Sequence, residues 1–454
     1  MKKIIAGVAL IGTAVSAQAA DLAVKAPYTK APPMVSVYDW TGFYLGVNAG
    51  LGLGRDRTQH FDAGGADSLY LSPLGAVGGG QIGYNWQTNS FLGPIVFGVE
   101  ADIQGADMRD GYVNAFGNTY SQKLDWFGTV RGRVGLVTGP TLSYLTAGYA
   151  YGNVNTSGVA GGVPYAFGGG RSGWTWGSGV EAALGGNWTG KIEYLYVDLG
   201  DHTHVFDGGA QAIRSDLRQQ IFRVGLNYRI GGNSMYAPAV AANWNGFYLG
   251  GNFGSGTGRN RTALTDLSIP ATDEFNLSPD GFNGGIQAGY NWQVGNTVFG
   301  IEADIQGASL EDNKTCFDCG GAPSLVHNAK LPWFGTVRGR LGYSVGPSLF
   351  YATGGLAYGS VKNSIDLTGI DSVSFTQTRT GWTVGAGIET PFTLLGLFGP
   401  NWTSKTEYLY VDLGRVTNGF TLNATPGVLS TDVQQHIFRT GLNYHFNAPV
   451  VAKY

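Results

Sequence analysis

The sequence predicts an all-β transmembrane antiparallel barrel, arranged as two tandem eight-stranded barrels, with one sixteen-stranded barrel as the alternative. Three observations point there. Glycine accounts for 75 of the 454 residues and aromatics for as much as 13%, while charged residues reach only 13%, against about 7% glycine and about 25% charge in an average soluble domain. Glycine at that density excludes a helical bundle, because each one costs ~1 kcal/mol relative to alanine in a helix interior. The aromatics exclude a disordered chain. Second, the mean hydropathy is −0.03, too low for a protein of many membrane helices, each of which needs about 20 mostly apolar residues in a row. Strands that alternate apolar-out and polar-in average to neutrality instead. Third, the chain repeats itself.

The elements follow in order. Met1-Lys2-Lys3, an apolar run and Ala17-Gln18-Ala19 form a secretory signal peptide over residues 1–19, its apolar run too short to span a bilayer. Residues 20–39 hold Pro27, Pro32 and Pro33 without strand alternation and form a periplasmic tether. The formal net charge is −3 before the two leader lysines are removed, which excludes a nucleic-acid partner.

The duplication is direct. Trp40-Thr41-Gly42-Phe43-Tyr44-Leu45-Gly46 returns as Trp244-Asn245-Gly246-Phe247-Tyr248-Leu249-Gly250, and the run from Glu100 to Ala106 returns unchanged from Glu302 to Ala308. The same holds for Trp126 to Arg133 at Trp333 to Arg340, and for Glu193 to Gly200 at Glu407 to Gly414. A period of 202 to 216 residues is the size of a whole domain, so the copies are 40–230 and 244–446, joined by a linker at 231–243 and followed by a tail at 447–454.

Copy one offers eight strand segments, at 42–54, 78–87, 95–105, 125–137, 142–153, 173–184, 191–199 and 220–230, most of them long enough to cross a bilayer at a tilt. Long polar loops at 55–77, 106–124, 156–172 and 200–219 alternate with short turns at 88–94, 138–140 and 185–187. That alternation of long outer loops and tight periplasmic turns is an outer-membrane pattern. Copy two repeats it, with a longer turn at 391–400.

Strand faces separate cleanly. Phe97, Val99, Ala101 and Ile103 share one face and Glu100, Asp102 and Gln104 the other. Val130 and Val134 face lipid while Arg131 and Arg133 face in; Phe222, Val224, Leu226 and Tyr228 face lipid while Arg223, Asn227 and Arg229 face in. Aromatics such as Tyr84, Trp86 and Trp126 suit an interfacial girdle. Copy one therefore places Glu100, Asp102, Glu181 and Glu193 in the lumen against Arg131, Arg133, Lys191, Arg223 and Arg229; copy two places Glu302, Asp304, Glu389 and Glu407 against Arg338, Arg340, Lys405 and Arg439. An eight-stranded barrel is just wide enough to be filled by its own side chains, and an unpaired charge there costs several kcal/mol. The nearly balanced sets read as a structural ion-paired plug rather than as catalytic groups. The inward glycines 46, 50, 52 and 54 leave room for them.

Together with the leader, the Pro-rich tether and Gly83-Tyr84-Asn85-Trp86, these motifs resemble the outer membrane immunogenic protein family of alphaproteobacteria, small porin-like barrels. The resemblance implies an eight-stranded barrel per copy, residence in the outer membrane and surface-exposed loops. It implies a non-enzymatic role in envelope integrity and surface display, and some similar members bind haem. Its implied partners are outer-membrane lipid and lipopolysaccharide, the barrel-assembly machinery, and host or surface ligands reached through the loops. The chain departs from the family in carrying two copies, and in ending Phe446 with eight residues after it, so either Phe446 or Tyr454 serves as the assembly signal.

Candidate sites outside the lumen are few. Cys316-Phe317-Asp318-Cys319 in a copy-two loop has metal-ligand spacing but no second pair, and reads as a small loop disulfide. Asp201-His202-Thr203-His204 offers donors for a metal, haem iron or a hydrolase centre, but copy two has Arg415-Val416-Thr417-Asn418 there, so polar surface is the expectation. No cofactor is expected. A sixteen-stranded chain would instead be a diffusion porin for small solutes.

Overall fold

The computed structural model describes residues 38–63, 65–113, 117–231, 242–268, 271–316, 325–394 and 398–446. The signal peptide, most of the tether and the linker, Cys319 and the tail lie outside them, and with them the disulfide expectation. Copy one contains β1 (Gly42–Asp62), β2 (Gly65–Leu71), β3 (Leu74–Ser90), β4 (Gly93–Val113), β5 (Thr119–Thr138), β6 (Thr141–Ala160), β7 (Val163–Gly185), β8 (Trp188–Phe206) and β9 (Gln211–Ile230). Copy two contains β10 (Gly246–Gly258), β11 (Asn260–Asp266), β12 (Ala271–Leu277), β13 (Asp280–Val294), β14 (Thr297–Cys316), β15 (Leu325–Val345), β16 (Ser348–Leu367), β17 (Asp371–Pro391), β18 (Trp402–Leu422) and β19 (Thr425–His445).

Each copy closes on itself. β1 pairs antiparallel with β9 from Phe43 opposite Ile230 to Phe61 opposite Ala212, and β10 pairs with β19 from Tyr248 opposite His445 to Gly258 opposite Gln435. Two rings result, and among the described residues no ladder joins them. The single sixteen-stranded barrel is thereby excluded. Each ring has eight walls, since β2 continues β3 across Ser72-Pro73 and β12 continues β13 across Ser278-Pro279. Proline lacks the N–H that a ladder needs, so it interrupts the strand where it falls.

The strands are longer than the sequence suggests. β1 has 21 residues and β7 has 23, whereas about 9–11 suffice to cross a bilayer. The segments read as polar loops at 55–77, 106–124, 156–172 and 200–219 are largely ladder: β4 and β5 remain paired out to Val113 opposite Thr119, and β6 and β7 out to Ala160 opposite Val163. Polar side chains on both faces of these stretches marked them as loops, but a strand standing in water needs no apolar face. The barrels thus extend outward as a β crown beyond the membrane.

The apolar belt lies at the end with the short turns. Phe97, Val99, Ile103, Val130 and Leu145 are 48–63% exposed, which in this setting means facing lipid. At the seams, glycine is required sterically. A Cβ on Gly50 would sit 2.0 Å from the Phe222 carbonyl oxygen, and one on Gly254 would sit 2.1 Å from that of Phe438.

Candidate functional site: two sealed lumens and the face between them

Each lumen is filled in layers. At the periplasmic mouth of copy one Trp40, 1% exposed, turns into the ring and packs with Tyr38, Val96, Leu142 and Tyr144. Its backbone N–H donates to Gln87 Oε1 at 2.8 Å, while Arg229 stacks over the Tyr38 ring at 4.8 Å. Trp244 makes the equivalent plug in copy two with Val298, Leu349 and Tyr351.

Above the tryptophan comes the charged layer, which holds sixteen of the seventeen lumen charges named from the sequence, each buried, while Arg229 lies at the level of the tryptophan. Arg131 donates to Glu100, to Asp102 at 2.9 Å and to Glu193 at 3.1 Å. Arg223 binds Glu193 at 2.6 Å and Asp102 at 2.9 Å, Lys191 reaches Glu100 at 3.1 Å, and Arg133 reaches Glu181 at 3.1 Å. The phenols of Tyr44 and Tyr144 donate to Glu100 and Glu193, each at 2.8 Å. Copy two repeats the arrangement. Arg338 binds Glu302, Asp304 and Glu407, Arg439 binds Asp304 and Glu407, Lys405 binds Glu302 at 2.9 Å, and Arg340 binds Glu389 at 2.7 Å. In each charged layer four acids face four bases, and every one has an oppositely charged partner within 4 Å. None of these carboxylates faces an open cleft in which a substrate would meet it.

The third layer is apolar, and the sequence reading missed it. Met108, Phe127, Leu195, Val197, Leu217 and Ile221 meet across the copy-one lumen at 0–1% exposure; Leu310, Phe334, Leu409, Val411, Val433 and Ile437 do so in copy two. Gln104 and Gln219 in copy one, and Gln306 and Gln435 in copy two, are buried among these apolar side chains, so the layer fills the lumen with side chains. Two features hid it. The ladder shifts between Leu124 and Trp126, which turns Leu124 inward while Trp126 stays outward. In Glu193 to Leu199, both faces are apolar or aromatic, so alternation carries no information.

Other candidates are placed as follows. His202 and His204 lie on the outward extension of β8, with ring centroids 4.5 Å apart, and His204 stacks on Phe167 at 4.4 Å. Burial, followed by its neighbour His202, lowers the His204 pKa. Among the described residues no set of three or more metal-binding side chains gathers. His445, which joins no cluster in the sequence, occupies the lumen position held by Arg229 in copy one and lies 3.1 Å from Glu389.

One outward face of each barrel meets the other barrel instead of lipid. Val180, Ile192, Tyr194 and Phe222 are 4–8% exposed because they pack on Ile388, Phe438 and Tyr408 of copy two. Phe222, expected to face lipid, points outward but is covered by its own duplicate. The contacts exchange under a pseudo-two-fold: Tyr194 stacks on Phe438 at 5.4 Å and Phe222 on Tyr408 at 4.9 Å, these being corresponding positions in the two copies. Ser72 meets its counterpart Ser278 at 3.0 Å between hydroxyls, and Thr141 meets its counterpart Ser348 at 3.4 Å near the periplasmic turns. In the crown Arg55 binds Asp312 at 3.1 Å and its counterpart Arg259 binds Asp110 at 2.9 Å.

The family model described as the outer membrane protein beta-barrel domain matches the chain twice, over residues 7–229 and 230–446. The chain belongs to this family. The 31 kDa outer-membrane immunogenic protein of Brucella melitensis is 40% identical over 226 residues, covering 46% of this chain and 87% of that protein. The 22 kDa outer membrane protein of Rhizobium leguminosarum is 39% identical over 172 residues, covering 38% and 65%, and the 25 kDa immunogenic protein of B. melitensis is 30% identical over 231, covering 50% and 96%. Among solved structures, Neisserial surface protein A is 17% identical with a TM-score of 0.22, covering 44% of this chain and 97% of that one. Each of these matches about one copy. The resemblance to immunogenic outer-membrane barrels therefore holds, and the chain is an outer-membrane member of the family in tandem form.

Proposed function

We propose that the protein is a non-enzymatic, non-conducting anchor of the outer membrane that holds the envelope together and displays its β crown at the surface. The observation that supports this most is the filling of both lumens by a tryptophan plug, a paired charge layer and a largely apolar layer, which leaves neither a wide solute path nor an accessible acid–base pair. The crown, polar and standing clear of the lipid belt, is the part available to lipopolysaccharide and to host or surface ligands. Folding into the membrane would be handed to the barrel-assembly machinery.

Removal of the chain from its cells tests the reading. Loss should raise leakage of periplasmic enzymes under detergent challenge, and the full-length protein should restore it. Unchanged leakage together with an absence of crown labelling by a membrane-impermeant maleimide at Ala424→Cys would contradict it.

A further inference from the structure

The face between the barrels is closed in the crown by ion pairs and at mid-membrane by stacked aromatics. Near the periplasm it leaves a cleft of about 650 Å³, with Gly190, Ile192, Phe350 and Ile388 as its floor. The barrels touch along that floor, since a Cβ on Gly190 would lie 3.6 Å from the Phe350 ring. One wall is Val224, 54% exposed; the other is Leu341 and Tyr343, each 56% exposed. Gly190 follows the turn after β7, and Tyr343 and Phe350 flank the turn between β15 and β16, which sets the cleft at the depth of the periplasmic leaflet.

The duplication supplies an internal comparison. The pseudo-two-fold generates a mate position on the opposite side of the interface, and there the corresponding residues carry hydroxyls: Ser404 for Gly190, Thr406 for Ile192, Thr440 for Val224, Ser143 for Phe350 and Ser178 for Ala386. Two of those hydroxyls, on Thr406 and Thr440, pair with each other at 3.0 Å. At these five positions one side of the interface is hydroxyl-bearing and the other apolar, while at the rim of the cleft Thr297 and Tyr343 stand where the mate side has Ile95 and Leu136.

We propose that the apolar cleft binds one acyl chain of a phospholipid from the periplasmic leaflet. Water there would meet no hydrogen-bonding side chain on the floor or on the walls formed by Val224 and Leu341, whereas a lipid tail is the medium against which such walls are stable. The depth selects phospholipid over lipopolysaccharide, which occupies the outer leaflet. The lipid would act as a wedge completing the contact between the barrels where side chains do not.

Native mass spectrometry of the full-length protein, stripped of lipid in detergent and then offered phosphatidylethanolamine or lipopolysaccharide separately, tests this. The wild type should retain one phosphatidylethanolamine per chain. Ala352→Trp, which fills the cleft, should lose it, and Leu145→Trp, at the mate position, should keep it. The double change Ile192→Thr with Val224→Thr copies the residues of the opposite side and should also lose it, which covers the case in which the tryptophan variant does not fold. Retention by the wild type no greater than by both cleft variants, or retention of lipopolysaccharide in place of phospholipid, would overturn the proposal.

Discussion

Arg131 shows what a single residue does in this fold. Its guanidinium holds Glu100, Asp102 and Glu193 together at 2% exposure, where removing one partner of a buried pair costs about 3–5 kcal/mol by leaving the others uncompensated. Arg131→Leu should therefore lower the unfolding free energy of the first barrel by about that much in a urea titration from lipid vesicles, and Arg338→Leu should do the same to the second. In the crown, His327 is 3% exposed, lies against Phe275, and neither ring nitrogen has a partner among the described residues. Burial and then Lys314 hold its pKa down from 6.5 to about 3. The unfolded hairpin takes up a proton near pH 6.5 and the folded one does not, so the stability from keeping His327 neutral is complete above that pH and is lost as pH falls towards 3. Amide exchange in the hairpin of β14 and β15, corrected for its intrinsic pH dependence, should be faster at pH 5 than at pH 7.5, and His327→Phe should abolish the difference.

Among the elements, those inside the membrane were legible because lipid imposes alternation. In β4 the switch from Phe97, Val99 and Ile103 outward to Glu100, Asp102 and Gln104 inward follows directly from a two-residue period. The crown was not legible, because no solvent of contrasting polarity sorts its faces, and the ladder beyond Trp126 read as loop. The apolar lumen layer escaped because the irregularity between Leu124 and Trp126 breaks the period at the point where it begins. Seam glycines were legible as a cluster but not as individual requirements. Gly50→Val should prevent the closing ladder of β1 and β9 from forming, since even a Cβ there overlaps the Phe222 carbonyl. Loss of the compact, heat-modifiable band on a semi-native gel would show this, and Gly169→Val, in open space, should keep it.

At the scale of the whole molecule, the covered faces make the duplication more than two barrels on one string. Nothing in Phe222 or Tyr194 distinguishes a face meant for lipid from one meant for a second barrel, so the sequence displayed the copies without their contact. The pseudo-two-fold pairing of Ser72 with Ser278 provides a check. Ser72→Cys with Ser278→Cys should form a disulfide on export, and after proteolytic cutting in the linker the halves should separate only under reduction. The central claim, that the chain forms two sealed rings, is tested most directly by planar-bilayer recording of the purified protein. Two plugged eight-stranded barrels should give no stable conductance, whereas a steady nanosiemens-scale conductance would contradict both the layered lumens and their closure.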